Sequence, residues 1–299
     1  MVAGTGVRRM QAFDVLNHLL LLLIGVACFY PLVHVLSLSL SSERAIVQGI
    51  TWFPRDIDLI SYKFMLTHNR IIGGYANTIL YTATGTFISV ALTAMTAYPL
   101  SRRRLFARVP ITFMIVFTML FSGGLIPTYL LVRALGLLDT MWALVLPPAI
   151  AVWNLIILRT FFQNLPEEME EAARIDGAGV LRTLRTVIMP LSKAALATIG
   201  LFYAIGLWNQ YFAPLVYLRD IDKMPLQIIV RDMIWGDIMR QRAISNRNPF
   251  AEELTDFSVM LQLEKLKWTA LFVSIVPLLL VYPFIQRYFV RGVIIGALK

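Results

Sequence analysis

The chain has 299 residues, of which 58% are hydrophobic and only 15% are charged, and its formal net charge is +9. Soluble domains carry about 25% charged residues, so this composition excludes an ordinary soluble domain and indicates a membrane protein. Three scattered histidines and a single cysteine have no metal-ligand spacing, and no Gly-x-x-x-x-Gly-Lys-Ser/Thr phosphate loop occurs. We therefore expect no metal site, no catalytic residue and no nucleotide site in this chain.

Six apolar runs are long enough to cross a bilayer of about 30 Å as helices. They lie near 15–41, 75–100, 110–132, 138–158, 193–218 and 268–287. The interiors of these runs contain no Asp, Glu, Lys or Arg. The pattern predicts an all-α membrane protein with six transmembrane helices.

Basic residues cluster before the first run and after the second and sixth runs. If the helices alternate in direction, all three clusters fall on one side, and the positive-inside rule makes that side cytoplasmic. This explains the net positive charge without a nucleic-acid partner. The sequence thus predicts cytoplasmic termini, a single transmembrane domain and two loops on the opposite side. The predicted ranges are 1–14 for the N-terminus, 15–290 for the domain, 291–299 for the tail, and about 43–74 and 219–267 for the loops.

The second run opens with Asn77-Thr78 and closes with the segment 97–102, Ala-Tyr-Pro-Leu-Ser-Arg. Pro99 indicates a kink or a helix end, because proline removes a backbone donor inside a helix. The arginines that follow indicate an anchor at the lipid headgroups.

The segment between the fourth and fifth runs, Glu167 to Pro190, is the most polar stretch set between long apolar runs. Asn164 is a candidate N-cap, Pro166 suits the first helical position, and Gly177 suits the left-handed residue that ends a helix. These signals predict a short amphipathic helix, followed by a second helical piece that leads to Pro190. Its apolar side contains Met169, Ala172, Ala173 and Ile175.

Such a helix could lie on lipid headgroups or dock into a groove of another protein. Surface-lying helices are normally rich in Lys and Arg, whereas this helix begins with four acidic residues. The acidic start and the small, flat apolar side favour docking into a protein groove.

The fifth run contains Trp208, Asn209 and Tyr211, for which two interpretations stay open. Aromatic residues near a helix end are typical of the interfacial belt. They also stack on sugar rings, and amide groups satisfy sugar hydroxyls. On a continuous helix Asn209 and Tyr211 point about 200° apart, so only one can face a path, and we predict Asn209.

The segment 219–267 is long for a connection and carries charges of both signs in balance. Leu226, Ile229, Val230 and Met233 have helical spacing. We expect a short helix here, lying parallel to the membrane.

The polar segment resembles the coupling-loop signature of permeases of ATP-binding-cassette (ABC) importers. That signature is Glu-Ala-Ala, three residues, Gly, nine residues and Ile-x-Leu-Pro, and here it reads Glu171-Ala172-Ala173, Gly177 and Val187-Ile188-Met189-Pro190. Both departures, Val187 and Met189, stay apolar. The ends of the second run are similar to the carbohydrate-importing branch, with Pro99 in place of the usual Ala. The resemblance extends from about residue 60 to the C-terminus, and the first run is generic.

The resemblance implies a type I importer transmembrane domain in a bacterial inner membrane, with a cytoplasmic coupling loop at about 159–192. The implied partners are a homologous second permease, two ATPase subunits that bind ATP and Mg, and a periplasmic or lipid-anchored solute-binding protein. No cofactor is expected on this chain itself. The long 219–267 segment is implied to help dock the binding protein.

The resemblance also implies three groups of site residues. The ATPase-coupling residues are Glu171, Ala172, Ala173, Arg174, Asp176, Gly177 and Pro190. The C-terminal tail, with Gly292, Gly296 and Lys299, is implied to insert between the ATPase subunits. The candidate substrate path contains Asn77, Tyr81, Asn154, Trp208, Asn209 and Tyr211.

Two other functions stand as alternatives. An ion-coupled secondary transporter usually needs carboxylates or other ionisable groups inside the membrane, and the interiors of the runs contain no Asp, Glu, Lys or Arg. An intramembrane enzyme needs a nucleophile or metal pair, for which His34 near Ser37 and Ser39 is the one candidate. We expect an importer permease for an oligosaccharide, and the sequence leaves open whether that substrate is neutral or acidic, such as alginate fragments.

Overall fold

The computed structural model describes residues 12–49, 52–232, 265–281 and 283, and in this part of the chain the regular structure is helical, without strands. One turn of π-helix at Leu184–Ile188 precedes α11, and a turn of 3₁₀-helix at Ile221–Lys223 follows α13. The helices are α1 Ala12–Leu40, α2 Glu43–Val47, α3 Ile60–Thr67, α4 Asn69–Ser101, α5 Arg108–Leu120, α6 Leu125–Ala134, α7 Trp142–Val145, α8 Val152–Gln163, α9 Glu168–Ile175, α10 Val180–Thr183, α11 Met189–Leu191, α12 Lys193–Trp208, α13 Phe212–Tyr217, α14 over 226–232 and α15 over 265–281.

The first two apolar runs form continuous helices, and the next three are divided. Among the described residues, two helices (Phe13–Leu40 and Asn69–Ser101) are long and apolar enough to cross a membrane, and up to four spans result if each bent pair is one. One bent pair is α5 with α6, at 114°, and the other joins Val180–Leu191 to α12 at 89°. The sixth run enters α15, and its end lies outside the described residues.

Local chemistry explains the breaks that hydropathy alone does not show. Gly124 has φ +81° between α5 and α6, a conformation that glycine adopts without steric cost. Pro147 and Pro148 lie between α7 and α8, where proline cannot continue a helix. The apolar composition therefore indicates segments that lie in the membrane, but it does not show whether each segment is one continuous helix.

The described residues fall into two compact units. One contains residues up to Met65 together with 265–274. In it, buried Lys265 donates to the carbonyl oxygen of Asp58 at 2.9 Å and pairs with the carboxylate of the same residue. The hydroxyl groups of Ser39 and Tyr62 lie 2.6 Å apart. These contacts join the end of α1, the loop before α3 and the start of α15 within this unit.

The other unit contains Leu66–Asp232 and the described residues from Ile275 onward. Its core lies where α4, α8 and α12 pack together around Tyr98, Phe162 and Ile199. The hydroxyl of Tyr203 lies 2.7 Å from that of Thr93 and accepts the Ala151 N–H at 2.9 Å, so one buried group links all three helices. This core holds the ends of α4 and α8, from which the site is built.

Two glycines of α4 permit close approach of other helices. A Cβ at Gly85 would lie 2.7 Å from a methyl group of Leu207 on α12. A Cβ at Gly74 would lie 2.4 Å from Ile229 Cδ1 and 3.3 Å from the Leu226 backbone, both on α14. The helix predicted around Leu226, Ile229 and Val230 is therefore present and packs on α4, and Met233 lies outside the described residues.

Candidate functional site

The predicted amphipathic helix is α9, and it ends as its sequence indicates. Gly177 has φ +76°, its N–H donates to the Arg174 carbonyl at 2.9 Å, and the Ala178 N–H donates to the Ala173 carbonyl at 2.9 Å. This pair of hydrogen bonds is a Schellman motif, which satisfies carbonyl groups that the helix end leaves free. The prediction that Gly177 ends the helix in the left-handed conformation is confirmed, and its role in coupling stays a prediction.

The prediction of Asn164 as the N-cap of this helix is wrong. Its backbone is helical, and its N–H bonds the Phe161 carbonyl at 3.1 Å, because α8 continues to Gln163. The Asn164 side chain donates to the Thr160 carbonyl at 3.1 Å, and it therefore caps the end of α8. Glu167 occupies the N-cap of α9 instead, and Pro166 precedes that cap.

One side of α9 presents apolar groups to solvent. Ile175 is 87% exposed, Met169 and Ala172 are also exposed, and Ala173 is half-buried. Val180 and Leu181, just after the helix, are exposed as well. Exposed apolar groups of this kind are typical of an interaction site, and docking of a partner on this side of α9 stays a prediction.

The opposite side of α9 is anchored by a carboxylate that sequence reasoning missed. The Glu170 side chain is only 5% exposed and pairs with Arg102 and, at 3.7 Å, with Arg174. The Arg102 side chain is 14% exposed, and its guanidinium lies 5.3 Å from the centroid of the Tyr98 ring. Removing one partner of such a buried pair is strongly destabilising, since the other charge stays behind without compensation. The Arg102–Glu170 pair therefore joins α9 to the end of α4.

The residues assigned to coupling divide between this anchor and the exposed side. Glu171 is exposed and lies 3.9 Å from exposed Arg104, a pair that contributes little to stability. Arg174 belongs to the anchor, because its guanidinium pairs with the Glu170 carboxylate. Asp176 is the C-cap of α9, and Pro190 lies in α11 next to the 89° bend.

The sequence contained one indication of this anchor. Glu170 and Arg174 are four residues apart, and residues at that spacing share one helix face. The sequence could not show that Arg102 meets this face from a distant element. Arg102 was interpreted only as a headgroup anchor.

At the other end of α4, three side chains hold the segment 222–226. Asn77 Nδ2 donates to the Asp222 carbonyl at 2.7 Å, and the Tyr81 hydroxyl donates to the Lys223 carbonyl at 3.0 Å. The Leu226 N–H donates to the Thr78 hydroxyl at 2.9 Å. Asn77 and Tyr81 were predicted for the substrate path. In the structure, both side chains donate hydrogen bonds to backbone carbonyl groups of this segment.

Asp139 completes the same arrangement from the turn before α7. It adopts φ +60°, and its carboxylate accepts the N–H groups of Arg219 and Asp220 and the ammonium of Lys223, each at 3.0 Å. These hydrogen bonds and the Lys223 charge lower the pKa of Asp139 to about 2. We call Asp139, Lys223, Asn77, Thr78 and Tyr81 the loop clasp. Asp139 stood at the edge of an apolar run and was not predicted to have a role.

The remaining candidates of the substrate path lie on or beside broken helices. The interpretation that Asn209 and Tyr211 share one continuous helix is wrong, because α12 ends at Trp208 and Tyr211 is the N-cap of α13. Asn209 caps α12 by donating to the Ile205 carbonyl at 2.9 Å. Asn209 and Tyr211 are exposed, whereas Asn154 on α8 is buried.

Trp208 lines an apolar groove of about 730 Å³ between α4, α12 and residues 277–281. Thr82 and Thr86 face the same groove, and their buried hydroxyl groups have no hydrogen-bond partner within the described residues. The C-terminal residues Gly292, Gly296 and Lys299 lie outside the described residues.

The chain belongs to the family of binding-protein-dependent transport system inner membrane components, whose model matches residues 68–295. Helices α1 to α3 precede the matched residues. This was expected for α1, because the first apolar run carries no family signature. The chain is therefore an importer permease subunit with the type I ABC transmembrane fold.

Particular relatives are similar over nearly the whole length. The polygalacturonan/rhamnogalacturonan transport system permease protein YtcP of Bacillus subtilis is 39% identical, over 97% of this chain and 99% of that protein. Protein LplC of the same organism is 37% identical, over 97% and 95%. A chain from the crystal structure of a bacterial ABC transporter involved in the import of the acidic polysaccharide alginate is 36% identical, with a TM-score of 0.81, over 96% of this chain and 100% of that chain.

Proposed function

We propose that this chain imports acidic oligosaccharides as one of two homologous permease subunits, with ATP hydrolysed by two separate ATPase subunits. The coupling role is inferred from the two sides of α9. One side is exposed and apolar, and the other is anchored through Glu170. A helix held at one face and open at the other can transmit a movement of a docked partner to α4.

The ATPase subunit docks on the side of α9 that presents Met169, Ala172 and Ile175, with Glu171 at its edge. ATP and Mg²⁺ bind to the ATPase subunits, and this chain binds neither. The C-terminal tail around Gly292, Gly296 and Lys299 contacts the ATPase pair.

The end of α4 that meets α9 is its cytoplasmic end. Both termini of the chain are also cytoplasmic. Helix α4 has 33 residues and is about 50 Å long, enough to separate its two polar ends across a bilayer. The loop clasp is then on the outer side, where the solute-binding protein, periplasmic or lipid-anchored, docks near α14.

The acidic nature of the substrate is supported by the relatives that share more than a third of their residues with this chain. One is named for transport of polygalacturonan and rhamnogalacturonan, and another belongs to a transporter of alginate. All three polysaccharides contain sugar acids and are negatively charged at neutral pH. Asn154, Trp208, Asn209 and Tyr211 contribute the polar and aromatic groups of the path, with Asn77 and Tyr81 supporting its outer end.

A transport assay on the reconstituted complex with its binding protein tests the substrate class. The panel contains oligogalacturonates, alginate oligomers, neutral maltodextrins of equal length and sn-glycerol 3-phosphate. We expect the binding protein loaded with an acidic oligosaccharide to stimulate ATP hydrolysis and uptake. Stimulation by maltodextrins alone would contradict the acidic assignment while leaving the coupling role intact.

A further inference from the structure

A polar cavity of about 510 Å³ lies beside α9, at the end of α4. Five arginines and three glutamates line it, which gives its wall a net charge of +2. The arginines are Arg102, Arg103, Arg104, Arg108 and Arg174.

The glutamates compensate only some of these arginines. Glu170 pairs with Arg102 and Arg174, and Glu171 lies 3.9 Å from Arg104. Within the described part of the chain, Arg103 and Arg108 pair with no carboxylate. Arg103 and Arg108 are therefore the two arginines of the cavity that are free to pair with an added anion, and Glu167, the third glutamate, forms no ion pair among the described residues either.

The loop that carries both arginines also presents an aromatic side chain outward. Phe106 is 93% exposed, although Leu105 beside it packs against the core of α4, α8 and α12. Ala107 adopts the left-handed conformation, with φ +58°, and turns the chain so that Arg108 begins α5 at the cavity wall. An exposed aromatic ring among arginines at a helix end is typical of the headgroup level of a membrane.

We propose that this cavity binds the headgroup of an anionic phospholipid. Its phosphate pairs with the guanidinium groups of Arg103 and Arg108, which suit phosphate because they offer several donors in one plane. Phe106 lies at the boundary of the acyl chains. The exposed ring favours a lipid over a soluble phosphate, since a soluble anion gives it nothing to contact.

A lipid in this cavity lies next to the pair that anchors α9. Its phosphate supplies a negative charge to Arg103 and Arg108, while Glu170 remains paired with Arg102 and Arg174.

Native mass spectrometry of the purified complex with its partner permease and ATPases tests the proposal. The complex is titrated in detergent with phosphatidylglycerol or with phosphatidylcholine of the same acyl chains. We expect at least one phosphatidylglycerol to be retained, and Arg103→Gln with Arg108→Gln to weaken its binding about tenfold or more. Phe106→Ser should weaken it as well, and Arg103→Lys with Arg108→Lys should restore part of the loss.

The matched control is Arg182→Gln with Arg185→Gln, which removes the same charge from exposed arginines of the segment after α9, outside the cavity. Retention by this control supports a specific site. Equal binding by the wild type and the Arg103/Arg108 variant overturns the proposal, as does an equal loss in the control pair. Displacement of the lipid by inorganic phosphate at millimolar concentration overturns the lipid assignment and indicates a soluble anion.

Discussion

The two ends of α4 hold neighbouring segments in different ways. At one end, the loop clasp holds residues 219–226 in place. Several hydrogen bonds contribute, and they involve the side chains of Asn77, Thr78, Tyr81 and Asp139. At the other end, α9 meets α4 through one buried carboxylate, Glu170, and its apolar side faces solvent.

Under the proposed function, this difference separates a fixed segment at one end of α4 from a moving helix at the other. A segment held by many hydrogen bonds keeps its position when one of them is lost. A short helix held by one buried ion pair and one exposed ion pair can shift as a body when a partner docks on its open side. This is the arrangement expected if the outer segment is a platform and α9 transmits ATPase movement.

The largest single effect is expected at the anchor of α9. Glu170→Gln leaves Arg102 without its carboxylate in a nearly buried position, which should cost about 3 kcal/mol. Thermal unfolding of the purified complex in detergent measures the loss as a lower Tm.

Glu171→Gln is the matched control, because it removes the same charge from the neighbouring exposed position. Its Tm should change by less than the equivalent of about 1 kcal/mol. Equal losses of Tm in the two variants would show that Glu170 is no anchor.

The packing of α14 on α4 should show the next largest effect. Gly74→Val places a branched side chain against Ile229 and the Leu226 backbone, an overpacking that should cost about 1–3 kcal/mol. Hydrogen exchange over 219–232 should become faster. Gly73→Val, with nothing within 4 Å of its Cβ, should leave that exchange unchanged, and a similar increase in both variants would contradict the close approach.

The smallest of the three effects concerns pH at the loop clasp. The pKa of Asp139 is lowered from 3.8 to about 2 because the folded clasp stabilises the carboxylate. Its contribution to stability is therefore complete above about pH 4 and is lost as the pH falls through about 2. Hydrogen-exchange protection of the Arg219 and Asp220 N–H groups should fall across this window.

Asp139→Asn should remove that pH dependence while keeping the turn, since asparagine tolerates a positive φ. Persistence of the same pH dependence in Asp139→Asn would assign it to another carboxylate. Asp222 and Asp220 are the neighbouring candidates.

Features that depend on neighbouring residues were predictable from the sequence, and features that depend on distant contacts were not. The Schellman end of α9 follows from Gly177 alone, and α14 follows from the spacing of Leu226, Ile229 and Val230. The family signature predicted the family, and it also predicted a coupling role for the segment 167–190. These are local properties of chemistry and periodicity.

The anchor and the clasp require partners far apart in the chain. Arg102 meets Glu170 and Asn77 meets Asp222 only after α4, α8 and α12 have packed. Asn77 was accordingly interpreted as a path residue, although its amide holds a backbone segment. The breaks at Gly124 and at Asn209 were missed because an apolar run has the same hydropathy whether its helix is straight or bent.

The most direct test of the coupling role compares two glycines that flank Ala178. Gly177 has φ +76° and Gly179 has φ −71°, and neither has an atom within 4 Å of an added Cβ. Gly177→Val therefore introduces backbone strain of about 1 kcal/mol or more, whereas Gly179→Val adds a side chain without it. In the reconstituted complex, the number of substrates transported per ATP hydrolysed should fall in Gly177→Val and remain at the wild-type value in Gly179→Val. An unchanged ratio in Gly177→Val, with the complex assembled, would contradict the role of α9 in coupling.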